Sequence, residues 1–187
     1  MLFYISVCHR PLAMPRNLGR TVRPGSQTTP VFLTVARNWA RGRPAAQSST
    51  YPQWGTVYSR AESAVDGHRD GDWSHGSCSH TTREREPWWR VDLGARYAVT
   101  AVVVKNRQDC CSERIRGAQI QVGDSLANHG RCNSVCGTIT NSSAGSLSIV
   151  CCERRKGRYV SILIPGREES LTLCELEVYG SELRDEC

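Results

Sequence analysis

The sequence predicts an all-β sandwich, and three observations lead to this. Runs of alternating apolar and polar residues follow one another from residue 38 onward. Gly, Asp, Asn and Pro bound these runs, as expected for turns. Segments with the 3.6-residue repeat of a helix are nearly absent. The chain has 187 residues, enough for one domain with a substantial core.

The predicted strands are spread between residues 88 and 180. The run WWRVDL alternates, and the β-branched run YAVTAVVVK (97–105) is too short to predict a helix. The run IRGAQIQVG alternates again, and GRYVSILIPG and LTLCELEVYG continue the pattern. The residues expected to share one face are Trp89, Val91 and Leu93 in the first run and Ala118, Ile120 and Val122 in the third.

Residues 1–37 differ in character from the rest of the chain. They are rich in Arg, Pro, Gly and Thr without sustained periodicity, which predicts a flexible or poorly ordered extension. The folded domain is expected to span residues 38–180, with a short tail at 181–187. The opening MLFYISVCHRP lacks the basic start and long apolar core of a signal peptide, and no apolar segment approaches the length of a membrane span.

The ten cysteines predict a disulfide framework and therefore an oxidising, extracellular compartment. The paired C-x-x-C knuckles of structural zinc sites are absent. The cysteines are scattered along the chain, at Cys8, Cys78, Cys110, Cys111, Cys132, Cys136, Cys151, Cys152, Cys174 and Cys187.

The net charge is +6, and 22 of the 24 basic residues are arginines. A basic chain raises the hypothesis of nucleic-acid binding. The arginines are spread along the whole sequence, however, and no basic stripe with interleaved aromatic residues occurs. A nucleic-acid partner is therefore not expected.

The segment NRQDCCSER (106–114) combines two adjacent cysteines with two flanking arginines, Arg107 and Arg114. A Cys110–Cys111 bridge closes almost no loop, so it would stabilise the chain little through entropy. It would instead form a rigid, largely apolar plate. The alternative is that the two cysteines bond to separate partners, and the same choice applies to the pair at 151–152.

Polar residues near this pair suggest a ligand. Asp109 and Glu113 are placed to orient the two guanidiniums by charge-assisted hydrogen bonds. Each guanidinium is a rigid fork of donors that suits neighbouring hydroxyl oxygens, and His80, in a predicted loop, can also bind a hydroxyl. Two forks, an imidazole and an apolar plate match a small sugar with adjacent hydroxyls and a hydrophobic edge.

The pattern of His80, 26 residues, Arg107-x-Asp109, four residues and Arg114 resembles the signature of the F-type lectins. These are the fucose-binding lectins, or fucolectins, known from fish serum. Other segments resemble family segments in the same order and together span roughly three-quarters of the chain. They are AVDGHRDGDWSHGSCSHT, PWWRVDL, NRQDCCSERI, GRYV and LCELEV.

The resemblance implies a β-jelly-roll domain over residues 38–180, related in shape to discoidin domains, and a site for α-L-fucose. It implies that His80, Arg107 and Arg114 bind the ring oxygen and hydroxyls of the sugar and that the Cys110–Cys111 bridge packs against it. The fucose methyl group needs an apolar wall, for which the candidates are Trp73, Trp54 and Tyr58.

The resemblance also implies a structural calcium ion away from the sugar. The matching positions combine two carboxylates with backbone carbonyls and a hydroxyl, which are the oxygen ligands that calcium prefers. They are Ser63, Asp66, His68, Ser77, Cys174 and Glu175. Ser63 and His68 differ from the residue types of the family, but a carbonyl ligand does not depend on its side chain.

Family analogy also suggests disulfide pairs. It pairs Cys78 with Cys174, and Cys136 with Cys151 or Cys152. Cys132 is then expected to take the remaining cysteine of that pair. The pairing of Cys8 and Cys187 is left open.

Two other classes of function compete with a lectin. A glycosidase needs two carboxylates facing one sugar, and Asp109 and Glu113 both lie beside arginines, which favours permanent charge over proton transfer. No G-x-S-x-G or H-E-x-x-H pattern occurs, so an enzyme is not expected. A discoidin-like adhesion module that binds protein or phospholipid shares the fold and remains the alternative.

The expected ligands are fucosylated glycans, bound with avidity if the chain forms homo-oligomers. By analogy the expected role is glycan recognition in innate defence. The loops at 51–60 and 72–76 are expected to set the preference for one glycan over another.

Overall fold

The computed structural model describes residues 8, 37–52 and 59–183. In this part of the chain the regular structure consists of β-strands and short 3-10 turns. The strands are β1 (Ala45–Gln47), β2 (Ser79–His80), β3 (Glu84–Arg85), β4 (Trp88–Lys105), β5 (Gln119–Gly123), β6 (Ser134–Thr138), β7 (Leu147–Leu163), β8 (Glu168–Glu169), β9 (Thr172–Leu173) and β10 (Glu175–Glu182). The 3-10 turns are Ala61–Val65, Trp73–His75, Ser112–Ile115 and Ala127–Gly130.

All strand pairs named here are antiparallel, as the predicted β-sandwich requires. The main sheet has the order β1-β4-β7-β5-β6, and β10 adds to the free part of β4. Two small ladders, β2–β9 and β3–β8, lie outside this sheet. They bring the segment around His80 next to the chain just before β10.

The strands predicted separately at 88–93 and 97–105 form one long strand, β4. Its first half pairs with β1 and with the end of β7, and its second half pairs with β10 and with the start of β7. The register shifts between Asp92 and Tyr97, where Gly94 has a φ of 81° that a side chain would strain. The bulge lets one strand bend around the core without losing its partner.

The core faces were predicted from the alternation, and that prediction is confirmed. The six residues named from the runs at 88–93 and 118–122 are all buried in one apolar cluster. Trp89 is fully buried, and its indole N–H donates to the carbonyl of Ala61 (2.9 Å). This bond fixes the 3-10 turn Ala61–Val65 against the sheet.

Four disulfides lie in the described part of the chain, and three of them join residues 16 or more positions apart. Cys78 is bonded to Cys174, Cys110 to Cys111 and Cys136 to Cys152. The expected bond between Cys132 and the remaining cysteine of the 151–152 pair was wrong. Cys151 is bonded to Cys8, and Cys132 is exposed with a free thiol. Cys187 lies outside the described residues.

The predicted extension and tail fall largely outside the described part of the chain. Cys8 is described, and its bond ties the beginning of the chain to β7. At the other end β10 continues to Glu182, two residues past the expected domain boundary. No helix in the described part is long and apolar enough to span a membrane.

Candidate functional site

A cleft of about 410 Å³ lies beside the two small ladders. It contains the five residues expected to bind the sugar, which are His80, Arg107, Cys110, Cys111 and Arg114, and one of the three candidates for the apolar wall, Trp73. Its lining residues are Tyr51, Trp73, His80, Arg83, Arg107, Cys110, Cys111, Arg114, Glu169 and Ser170.

His80 is held in one tautomer by the backbone. It ends β2, paired with Thr172 of β9, and its ring is buried. Nδ1 lies 2.6 Å from the carbonyl oxygen of Thr81. Because a carbonyl only accepts, Nδ1 must carry the hydrogen, and Nε2 is left as an acceptor. Burial and the nearby guanidiniums of Arg107 and Arg114 lower the pKa of His80, so the ring is neutral at pH 7.

Arg107 is a buried guanidinium oriented by Asp109. Its Nε and one terminal nitrogen donate to the two carboxylate oxygens at 2.8 and 2.5 Å. This bidentate bond lowers the pKa of Asp109 to about 2, so the carboxylate stays charged. Asp109 takes two of the five N–H groups of the guanidinium, and the others are left for a ligand. Asp109 also accepts from the backbone N–H of Trp73 (3.1 Å). The same carboxylate therefore holds both Arg107 and the segment that carries Trp73.

The loop that carries the vicinal disulfide is anchored by Asn106. Its buried side-chain amide donates to the carbonyls of Ser112 (2.9 Å) and Ser143 (3.2 Å), while its carbonyl accepts from the N–H of Arg107 (2.9 Å). Cys111 has a left-handed backbone and precedes the 3-10 turn Ser112–Ile115. The Cys110–Cys111 plate therefore lies at the cleft where the chain turns.

Arg114 lies in that 3-10 turn and approaches a different carboxylate from the one expected. Its Nε is 3.7 Å from Oε1 of Glu169, the last residue of β8. Glu113, predicted as an orienting residue, is exposed and makes no ion pair within the described residues. The tight turn directs neighbouring side chains to different sides. Arg167 steadies the turn by donating to the carbonyl of Arg114 (2.7 Å).

Two aromatic rings form the apolar wall of the cleft. Trp73 stands edge-on to His80, with ring centroids 5.7 Å apart, and its indole N–H donates to Ser59 (3.1 Å). The guanidinium carbon of Arg107 lies 5.0 Å from the Trp73 ring centroid. Tyr51 packs 4.8 Å from His80 and is 43% exposed. The other two candidates for this wall, Trp54 and Tyr58, lie outside the described residues.

Four lining residues were not among the predicted site residues. They are Tyr51, Arg83, Glu169 and Ser170. Only Tyr51 had any signal, because it begins the aromatic segment YPQWGTVY. The others reach the cleft through the pairing of β3 with β8, which no local pattern reveals.

The residues expected to bind calcium converge in part. Oε2 of the fully buried Glu175 accepts from the N–H of Gly67 (3.2 Å), next to Asp66. Oε1 of Glu175 is buried with no hydrogen-bond partner in the described structure. Burial raises the pKa of Glu175 to about 8, and the nearby Asp66 adds to this. A bound cation would offset both the cost of burying the charged carboxylate of Glu175 and its repulsion by Asp66.

The rest of that oxygen set is less defined. The Cys78–Cys174 bond brings the segment of Ser77 beside Cys174. Asp66 also accepts from the backbone N–H of His68 (2.7 Å), and Ser63 belongs to the 3-10 turn Ala61–Val65. The described residues contain no group of three or more His, Cys, Asp or Glu side chains suited to a metal. Carbonyl and hydroxyl oxygens would have to complete the shell, which suits calcium.

The chain is similar to known proteins over most of its length. Residues 63–162 match a family described as "NedA-like, galactose-binding domain". Fucolectin-1 of Anguilla japonica is 48% identical over 138 residues, which cover 73% of this chain and 77% of that protein. Fucolectin-5 of the same species is 45% identical over 159 residues, covering 84% and 83%.

Solved structures show the same resemblance. The chain is similar to an F-lectin (fucolectin) from striped bass (Morone saxatilis) serum, with a TM-score of 0.74 and 42% identity. The match covers 79% of this chain and 50% of that one, so the chain spans half the length of the striped bass lectin. It is also similar to the lectin domain of lectinolysin complexed with Lewis B antigen, with a TM-score of 0.66 and 30% identity, covering 78% and 97%.

Proposed function

Since the chain belongs to the fucolectin, or F-type lectin, family, we propose that it binds terminal α-L-fucose on glycans in the cleft around His80, Arg107 and Arg114. The observation that carries the proposal is the convergence of five side chains. One cleft holds a neutral imidazole, two guanidiniums and the two sulfurs of a vicinal disulfide. The names of the similar proteins support the choice of fucose among small sugars.

The polar groups divide the hydroxyls of the sugar between donors and an acceptor. Arg107 and Arg114 donate N–H groups to the ring oxygen and hydroxyl oxygens, and Nε2 of His80 accepts from a hydroxyl. Asp109 and Glu169 orient the two guanidiniums before the sugar arrives. Little side-chain freedom is therefore lost on binding.

The apolar groups bind the remaining edge of the sugar. The Cys110–Cys111 plate packs against the ring, and Trp73 or Tyr51 contacts the methyl group. Burying one methyl group stabilises the complex by about 1 kcal/mol. The methyl group and the hydroxyl arrangement together distinguish fucose from other hexoses.

Affinity chromatography tests the proposal directly. The protein should be retained on fucose–agarose and should elute with free fucose but not with glucose. A protein that passes through in the presence and absence of calcium would refute the proposal and favour a discoidin-like protein or phospholipid ligand. A glycan array with and without chelator would then identify the preferred linkage.

The binding should depend on pH through His80. The lowered pKa keeps the ring neutral at pH 7, and protonation sets in only below the ordinary value of 6.5. Protonation removes the Nε2 acceptor and adds a cation beside Arg107 and Arg114. We expect fucose affinity to be constant from pH 8 to 7 and to fall as the pH is lowered further and the ring becomes protonated, measured by calorimetry.

A variant without a titratable group is the control. In His80→Asn the residual affinity should not change over this pH range. As the pH drops, the unfolded chain binds the His80 proton before the folded chain does, so the stability of the protein also decreases. Circular dichroism at each pH therefore checks that the protein is still folded. An affinity that stays constant from pH 7 down to the pH at which the native protein begins to unfold would contradict the assigned role of His80.

The charges in and beside the cleft support binding without hydrolysis. A general acid must hold a proton near neutral pH. The pKa of Asp109, at about 2, leaves it ionised, and Glu169 is engaged with Arg114. Neither carboxylate has an arrangement that suits proton transfer to a leaving sugar.

We propose further that a structural calcium ion binds Asp66 and Glu175 through their carboxylates. The backbone carbonyls of Ser63, His68 and Cys174 and the hydroxyl or carbonyl of Ser77 would complete the shell. The support is the orphaned, buried Oε1 of Glu175, which a cation would satisfy. The ion would hold the start of β10 against the Ala61–Val65 turn.

Calcium should therefore raise the stability of the protein. At a calcium concentration 100 times its dissociation constant, we expect a gain of about 2.7 kcal/mol in the free energy of unfolding. Glu175→Gln should remove this gain, because an amide supplies no charge to the ion. Glu62→Gln, an exposed change in the adjacent turn, should retain it. Thermal unfolding with calcium or chelator measures all three, and a Glu175→Gln protein that still gains stability would refute the site.

The setting proposed for this activity is extracellular. The four disulfides in the described structure favour an oxidising compartment. A single site for a neutral sugar binds weakly, so oligomers presenting several sites would raise the avidity. Recognition of fucosylated surfaces in innate defence is the role that we propose.

A further inference from the structure

Arg83 is a third arginine in the cleft, and it has no partner in the part of the chain that the structure describes. It lines the cleft together with Arg107 and Arg114 and is exposed. Within the described residues its side chain makes no ion pair and no hydrogen bond, whereas Arg107 and Arg114 each have a carboxylate. Its guanidinium is therefore available to a ligand.

Arg83 reaches the cleft from a different segment of the backbone than the proposed fucose contacts. It directly precedes β3, whose Glu84 pairs with Glu169 of β8, and Ser170, which follows β8, also lines the cleft. The proposed fucose contacts come from the end of β2 and the loop after β4. Arg83 is thus supplied by a segment that those contacts do not use.

The acidic residues near Arg83 are already engaged. Glu84 accepts hydrogen bonds from Ser48 (2.6 Å) and Ser49 (2.5 Å). Glu169 accepts from the N–H of Ser170 (3.0 Å) and pairs with Arg114. With His80 neutral, the lining of the cleft carries an excess positive charge that a neutral sugar does not need.

The cleft also has more room than fucose alone requires. Its volume of about 410 Å³ falls within the range of pockets that hold ligands larger than one sugar ring. A second sugar linked to the fucose can therefore lie along the cleft. A substituent on that sugar would come within reach of Arg83.

From this geometry we propose that Arg83 selects fucosylated glycans that carry an oxyanion, a sulfate ester or a carboxylate, on the sugar linked to the fucose. A guanidinium binds both groups through paired N–H donors. The inference rests on the proposed fucose site and adds a class of preferred ligand to it.

Calorimetry with matched disaccharides tests the inference. The probes are α-L-fucosyl-(1→2)-galactose, its derivatives sulfated at O3 or O6 of the galactose, and the derivative in which the galactose C6 is a carboxylate. The native protein should bind at least one charged probe about threefold to tenfold more tightly than the neutral one. High salt should reduce that preference.

Two variants isolate the role of Arg83. In Arg83→Gln the ratio of charged to neutral affinity should fall to about one. In Arg85→Gln the ratio should be unchanged, because Arg85 pairs across the ladder with Glu168 and does not line the cleft. Comparing sulfate with carboxylate shows which oxyanion is preferred.

The outcomes separate the two proposals. Native protein that binds the neutral disaccharide without any preference for the charged probes would overturn the inference and leave the fucose site intact. Native protein that binds none of the probes would overturn the fucose site and the inference with it. A preference that survives in Arg83→Gln would also overturn the assignment to Arg83.

Discussion

Replacing Arg107 by alanine is expected to abolish retention on fucose–agarose while the protein stays folded. Arg107 is buried in the wall of the cleft and has N–H groups left after binding Asp109. Hydrogen bonds from a charged donor contribute about 1.5–3 kcal/mol each. Losing two of them should lower fucose affinity at least about a hundredfold, as measured by calorimetry.

The geometry of the fork matters as much as the charge. Arg107→Lys keeps a cation but cannot bind Asp109 and a sugar with paired donors, so it should recover only a small part of the affinity. Arg158→Ala is the matched control. Arg158 donates to both oxygens of Asp92 at 2.7 and 2.8 Å, outside the cleft, so its loss removes a similar ion pair. Full binding is expected in that variant.

Near-ultraviolet circular dichroism separates lost binding from lost structure. Arg107→Ala leaves Asp109 without its main partner, and a modest loss of stability is expected from this. If the folded Arg107→Ala protein were still retained and eluted only with free fucose, the cleft would not be the sugar site.

The second large effect is expected on stability, from the Cys78–Cys174 disulfide. Its two cysteines are 96 positions apart and fully buried. Closing a loop of this length stabilises a chain by about 4–5 kcal/mol in the entropic model. The double variant Cys78→Ser/Cys174→Ser should lose about this free energy of unfolding, measured by denaturant titration, and about 10–15 °C in Tm.

The same variant should also weaken sugar binding. Cys78 lies two residues before His80, and the disulfide holds β2 near β9. Without the disulfide, the backbone that positions the imidazole of His80 loses a covalent anchor. Retention on fucose–agarose should therefore fall together with stability.

Two other cysteine variants allow the size of this stability loss to be compared. Cys136 and Cys152 are only 16 positions apart, so Cys136→Ser/Cys152→Ser should cost about 3 kcal/mol. Cys132→Ser, which removes the exposed free thiol, should change stability by less than about 0.5 kcal/mol. If the Cys78→Ser/Cys174→Ser variant lost no more free energy of unfolding than Cys132→Ser, the predicted stabilisation by loop closure would be wrong.

The sequence predicted the parts of the fold that depend on local periodicity. Trp89, Val91 and Leu93 alternate because every second side chain of a strand faces the core, and all three are buried. The prediction of two strands at 88–105 missed their continuity. Hydrogen bonding to β7 resumes beyond the bulge at Gly94, and partner residues 42 to 75 positions away leave no local signal.

The site shows the same division. The spacing from His80 to Arg114 predicted residues that do line one cleft. Glu113 was predicted to orient Arg114 because the two are neighbours in the sequence, and this prediction was wrong. The 3-10 turn exposes Glu113, and Glu169 approaches Arg114 from β8 instead. The bond from Cys151 to Cys8 likewise depends on where the beginning of the chain lies in space.

By itself the amino-acid sequence determined the β-class of the domain, its family resemblance and the residues whose chemistry suits a sugar. Those properties reside in residue type and short-range spacing. Only the tertiary structure decided which carboxylate orients Arg114, that Tyr51 joins the wall and that Arg83 has no partner among the described residues. These depend on contacts between segments far apart in the chain, which are set by strand pairing and not by neighbouring residues.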